Sequence, residues 1–214
     1  MNEHIAKLQA ALGGLTVDGE RGPRTTIAIL TAADEGRLTV APALPGDGLG
    51  PLPTLPWLEE LKAVFGLHEN ADREKLTAWL KSDGHALGDP TKLPWCGDAV
   101  ETSMRLGMPQ EPFPGALGAN PYFARNWTQF GVDLKAYGSV GVFERGPTSG
   151  HVGYLVGEGP STYYVFGGNQ GDRVSVVQIL KTRLIAARFP STWLGPVRPL
   201  PKMNTLAPLS ISEF

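Results

Sequence analysis

The sequence predicts an α+β fold preceded by a small all-helical module. Three observations carry this. Apolar residues recur at helical spacing in the first part of the chain and alternate at strand spacing beyond Gly138. A proline- and glycine-rich stretch at 41–56, APALPGDGLGPLPTLP, parts the first forty residues from the rest. The 214 residues are 42% hydrophobic and 19% charged, which is enough apolar material for a buried core.

Four segments follow. Residues 1–40 form the helical module, 41–56 the linker, 57–194 the α+β domain, and 195–214 a tail expected to be extended and poorly packed. In the module, Ile5, Leu8, Leu12 and Leu15 share one helical face, and Gly13-Gly14 stops the helix. The run 17–23 is turn-rich. Thr25 or Thr26 then starts a second helix through Ile27, Ile29 and Leu30.

In the large domain, 57–65 reads as a helix ended by Gly66. A second helix at 74–81 puts Leu76, Trp79 and Leu80 on one face. A third at 96–106 is stopped by Gly107 and Pro109, and 121–130 reads as a fourth. The period then changes. Val140, Val142 and Phe143 mark a first strand, followed by strands at 151–156, 162–166 and 173–179, joined as an antiparallel meander.

A formal charge of −2 gives no electrostatic reason to expect nucleic acid or an anionic membrane as partner. The single cysteine excludes an intramolecular disulfide and any multi-cysteine zinc site. The N-terminus lacks the basic start and apolar run of a signal peptide, and no stretch is apolar enough to span a bilayer. The expectation is a monomer made in a cytoplasm, which something other than ordinary secretion must move if it acts outside one. No cofactor and no metal is expected.

The one thiol, Cys96, follows Pro94-Trp95 and opens the third helix. Free backbone N–H groups at a helix start favour a thiolate, and the Cys96 N–H is placed to stabilise an oxyanion on a bound amide. His151, at a strand start between Gly150 and Gly153, is the candidate base, and the two glycines leave room for substrate backbone. Asn169, at the next strand's end, would orient the imidazole, with Gln170 as its alternate and Asp172 behind it. A thiol, an imidazole and an amide in this order are the parts of a papain-like site. Trp95 is either core or a platform for substrate. Asn169 after Gly167-Gly168 is otherwise a turn former. His4, His68 and His85 read as surface residues without partners, and Asp98 as a charge favoured by the helix dipole.

Two resemblances rest on these strings. Leu8-Gln9-x-x-Leu12, Val17-Asp18-Gly19, Gly22-Pro23, Thr25 or Thr26, and Ala28-Ile29 resemble the peptidoglycan-binding helical repeat of wall hydrolases. That resemblance implies wall contact through Asp18, Gly19, Gly22 and Thr25. Pro56-Trp57-Leu58-Glu59, Pro94-Trp95-Cys96, Gly150-His151-Val152-Gly153-Tyr154 and Gly167-Gly168-Asn169-Gln170-Gly171-Asp172 look like the NlpC/CHAP-type cysteine peptidases, closest to those of phage lysins. This implies a papain-like domain that cuts a peptide or amide bond of peptidoglycan through Cys96, His151 and Asn169, with Trp95 and Gln170 near the substrate. The chain departs from the family at Gly138-Ser139, where Gly-Asp is common, so altered local hydrogen bonding is expected there.

Other readings remain. A zinc amidase would need histidine pairs at ligand spacing, which the chain lacks. A non-catalytic wall-binding or virion structural protein would keep the triad as a remnant. A transpeptidase or effector amidase would use the same thiol on another substrate.

Overall fold

The computed structural model describes residues 52–203. The readings on the helical module, with Asp18, Gly19, Gly22 and Thr25, lie outside the described residues, as do most of the linker and the end of the tail. Among those described, Leu52 and Pro190–Pro196 belong to one compact unit, and Pro53–Phe189 with 197–203 to another. In the first, the Trp193 indole N–H donates to the Pro196 carbonyl at 3.2 Å.

The second unit is α+β. Helices α1 (Pro56–Lys62), α2 (Arg73–Leu80), α3 (Cys96–Gly107) and α4 (Gly115–Ala119) come first, then a 3-10 turn at Ala124–Gln129. Strands β1 (Val132–Asp133), β2 (Val140–Glu144), β3 (Gly150–Glu158), β4 (Thr162–Gly167), β5 (Ser175–Leu180) and β6 (Leu184–Phe189) form one six-stranded sheet in the order β1-β6-β2-β3-β4-β5. Every pairing is antiparallel. Among the described residues no helix is long and apolar enough to cross a membrane.

The expected meander is β2 to β5. Two strands were not expected: β6 returns to pair with β2, and β1 pairs with β6. The helix expected at 121–130 is instead the 3-10 turn, with α4 before it. Ala124, Trp127 and Phe130, all buried, recur every third residue, and that spacing suits 3.0 residues per turn. Helix α1 is also shorter than expected, ending at Lys62.

Helix α3 is the central helix. Its residues from Cys96 to Met104 are buried all round. Gly107 near its end lets the start of α1 cross it: a Cβ there would lie 2.5 Å from the Trp57 nitrogen. Trp57 is fully buried, donates to the Gly138 carbonyl at 2.9 Å and meets the Phe189 ring edge-on at 5.6 Å. Strand alternation sends Tyr154 of β3 toward α3. Its hydroxyl lies 2.8 Å from Ser103 Oγ and donates to the Val100 carbonyl.

The opposite face carries a second cluster, Phe143, Leu155, Tyr163, Val165, Val177 and Ile179, and Leu200 of the C-terminal segment packs into it. That segment therefore overturns the expectation of a poorly packed tail as far as Met203. The Glu158 amide donates to the Pro201 carbonyl and the Met203 amide to the Glu158 carbonyl, both at 2.9 Å. Burial of Leu200 supplies the apolar gain that extended chain alone lacks.

Candidate functional site

Cys96 opens α3, after the N-cap Trp95. Its first turn is crowded by backbone: a Cβ on Gly97 would lie 2.5 Å from the Tyr122 carbonyl oxygen and 2.6 Å from that of Pro121. Burial pushes the Cys96 thiol up from its ordinary pKa. Opposing this, the backbone N–H groups of Val152, Gly97 and Cys96 itself face the sulfur, and the Arg145 cation acts on it from the β2–β3 turn. Burial wins, because the residue is only 3% exposed.

His151 is the second residue of β3, paired with Phe143 and fully buried. Continuing the β3–β4 register beyond Tyr154↔Phe166 sets Asn169 across from His151. Close backbone approach supports this continuation, since a Cβ on Gly153 would lie 3.4 Å from the Gly167 Cα. Gly168 then packs on the start of α3, where a Cβ would lie 2.4 Å from the Trp95 ring and 2.7 Å from the Ala99 Cβ. Asn169 turns the chain with φ 56°, a left-handed conformation that asparagine tolerates.

The backbone positions of the expected trio thus fall at one end of the sheet. The sulfur sits at the Val152 amide, His151 is the preceding residue, and Asn169 is its cross-strand neighbour. Alternation directs Val152 and Tyr154 toward α3, and His151, Gly153 and Leu155 toward the other side of the strand.

Several expectations are corrected. No open cleft exposes the trio: Cys96, His151 and Asn169 are all buried, the last at 6% exposure. The space beside Gly150 and Gly153 is filled by the protein's own atoms, Arg125 and Phe143 around the first and Val165 and Phe166 around the second. Trp95 is core at 1% exposure, its indole N–H donating to Glu69 Oε2 at 2.9 Å, so it is no substrate platform. Gln170 staples its own turn: its side-chain amide donates to the Ser175 carbonyl at 3.0 Å, and Ser175 Oγ returns a bond to the Gln170 carbonyl.

Asp98 is also not an exposed dipole charge. It is 1% exposed and accepts the Leu87 amide at 3.0 Å. Burial, and then the nearby Glu101 and Asp83 carboxylates, push its pKa up to about 7 against the Leu87 hydrogen bond. His68 and His85 both have partners. His68 Nδ1 accepts the Asn70 amide at 3.1 Å, and His85 Nδ1 lies 3.9 Å from Asp83 Oδ2. Ser139 Oγ accepts the Ala136 amide and donates to the Leu134 carbonyl, both at 2.8 Å.

Sequence reasoning missed Glu69, Arg125 and Arg145. Glu69 holds the Trp95 ring, and its own amide donates to the Asp172 carbonyl at 2.8 Å, tying the residues before α3 to the turn after β4. Arg125 donates to the Ser149 and Gly146 carbonyls at 2.9 and 2.6 Å and so fixes the turn that carries Arg145. None of the three lies in a periodic run, so only a match between distant loops would have marked them. No protein-family model, curated protein or solved structure matches the chain.

Proposed function

We propose that the protein is an endolysin-like peptidoglycan hydrolase, cutting a peptide or amide bond of the wall through Cys96, His151 and Asn169. The observation that supports this best is the convergence of backbone N–H groups on the one sulfur of the chain, with His151 next to one of them in sequence. Such donors stabilise negative charge where a thiolate would form.

In this reading His151 removes the thiol proton and Sγ attacks the amide carbonyl. The carbon–nitrogen bond breaks, the amine leaves with the proton from His151, and a thioester remains. His151 then takes a proton from water as its oxygen adds to the thioester carbon, the carbon–sulfur bond breaks to release the acid, and His151 passes that proton to the sulfur. Asn169 holds the imidazole. The reaction requires the end of the sheet to open, since burial keeps the sulfur protonated when it is closed. No metal or cofactor enters these steps.

Burial favours a second reading, a non-catalytic wall-binding or virion structural protein, because Cys96 and His151 are closed off and alternation starts them on different sides of β3. Turbidity clearing of purified sacculi by wild type and Cys96→Ala separates the two. The hydrolase reading expects clearing that the variant loses while sedimentation with sacculi persists. Equal clearing by both proteins, or none by either, sinks it. Mass spectrometry of the released fragments identifies the bond.

A further inference from the structure

We propose that Asp83, His85 and Glu101 form a binding site for one divalent first-row transition cation, such as Zn2+ or Mn2+. One ligand atom from each lies within 4.8 Å of the others. The set joins the loop after α2 to the second turn of α3.

Each carboxylate divides its two oxygens. Asp83 Oδ1 accepts the His85 amide at 3.0 Å, which fixes the side chain, while Oδ2 is buried without a hydrogen-bond partner. Glu101 Oε1 accepts from Arg105 Nε at 2.7 Å, while Oε2 is buried without a partner. The Asp83 and Glu101 side chains are each 1% exposed. Two fully buried carboxylate oxygens left without donors are costly unless a cation meets them.

Charge points the same way. Asp83, Glu101 and the neighbouring Asp98 bring three acidic groups, and among the described residues Arg105 is the one guanidinium bonded to them, with Nε 3.8 Å from Asp83 Oδ2. A divalent ion would offset the excess of negative over positive charge.

One imidazole among carboxylates suits Zn2+ or Mn2+ better than the all-oxygen preference of Ca2+ and Mg2+. The His85 side chain is 53% exposed, so an ion can enter from solvent and keep water on its open positions. Bound there, it would clamp the segment leading to Cys96 against α3.

The test uses full-length protein stripped with EDTA and dialysed, titrated with ZnCl2, MnCl2 and CaCl2 by calorimetry and by thermal melting. The proposal expects one equivalent of Zn2+ or Mn2+ to bind and to raise the melting temperature, since a ligand of the folded state stabilises it. Loss of a ligand should weaken binding by at least what loss of an outer-shell partner does, about tenfold. His85→Ala, an exposed position that should not disturb folding, must show this loss, and Glu101→Gln should repeat it if it folds. Cys96→Ser must bind as wild type does. Absence of saturable binding, equal binding by His85→Ala, loss of binding in Cys96→Ser, or preference for Ca2+ would each overturn the assignment.

Discussion

The backbone N–H of Val152 faces the sulfur of Cys96, joining the strand that carries His151 to the helix that carries the thiol. The contact favours a thiolate, yet burial outweighs it and raises the thiol pKa. In the folded chain Cys96 should therefore react with iodoacetamide more slowly than in the urea-unfolded chain at the same pH. The sign of the linked stability follows. The unfolded thiol loses its proton near its ordinary pKa of about 8.5, while the folded one keeps it. The contribution is full below that pH and is lost as pH rises toward the folded pKa. Urea midpoints between pH 7 and 10 should fall more steeply for wild type than for Cys96→Ala. Matching slopes would contradict the buried thiol.

The Ser103–Tyr154 pair docks β3 on α3. Tyr154→Phe removes one buried hydroxyl that bonds both Ser103 Oγ and the Val100 carbonyl. Ser103 Oγ keeps the Ala99 carbonyl at 2.8 Å, so it is not orphaned. The variant should lose about 1 kcal/mol in denaturant unfolding, the worth of a typical buried hydrogen bond. A loss within error of zero would mean the pair contributes nothing net.

The parts of this fold that were legible in the sequence are those with local causes. Strands β2 to β5 alternate and are bounded by turns, so the meander reads directly. Strand β1 has only two residues, and β6 is defined by pairing with distant β2, which no local pattern encodes. The site divides in the same way. Cys96, His151 and Asn169 each mark the end of an element, and their approximate convergence follows from helix start and strand register. Their closure does not, because it depends on what packs over them. Asp98 misled for that reason, since it sits under a loop that covers it; His85 lies at the surface as expected but meets a carboxylate from its own turn and one from α3.

Gly168 tests how tightly the turn after β4 must press on α3. An alanine there would put its Cβ against the Trp95 ring and the Ala99 side chain, well inside van der Waals contact. The overpacking should cost about 1–3 kcal/mol. It should also displace Asn169 and the N-cap residue Trp95, so sacculus clearing under the hydrolase reading should fall even at temperatures where the variant stays folded. Gly171→Ala is the control of opposite kind. It meets no neighbouring atom, and its penalty comes from φ +63° alone. Equal losses of clearing in the two variants would remove the link between packing at Trp95 and the site.

Glu158 holds the C-terminal segment through Lys202, and its other oxygen accepts from Lys181 Nζ at 2.7 Å. Burial pulls its carboxyl pKa up, but the two ammonium groups outweigh it and hold it below the ordinary value. A depressed carboxylate stabilises the fold above the unfolded pKa and loses that contribution as pH falls through the folded one. Docking of 197–203 should therefore loosen on acidification below the usual carboxylate range. The Met203 amide, bonded to the Glu158 carbonyl, reports this through hydrogen exchange. Its protection should drop with pH in wild type, and Glu158→Gln should show the lowered protection already at pH 7. Because the Lys202 side chain is 81% exposed, the effect on global stability should stay within about 1 kcal/mol. Unchanged protection in Glu158→Gln would assign the docking to Leu200 and the backbone bonds alone.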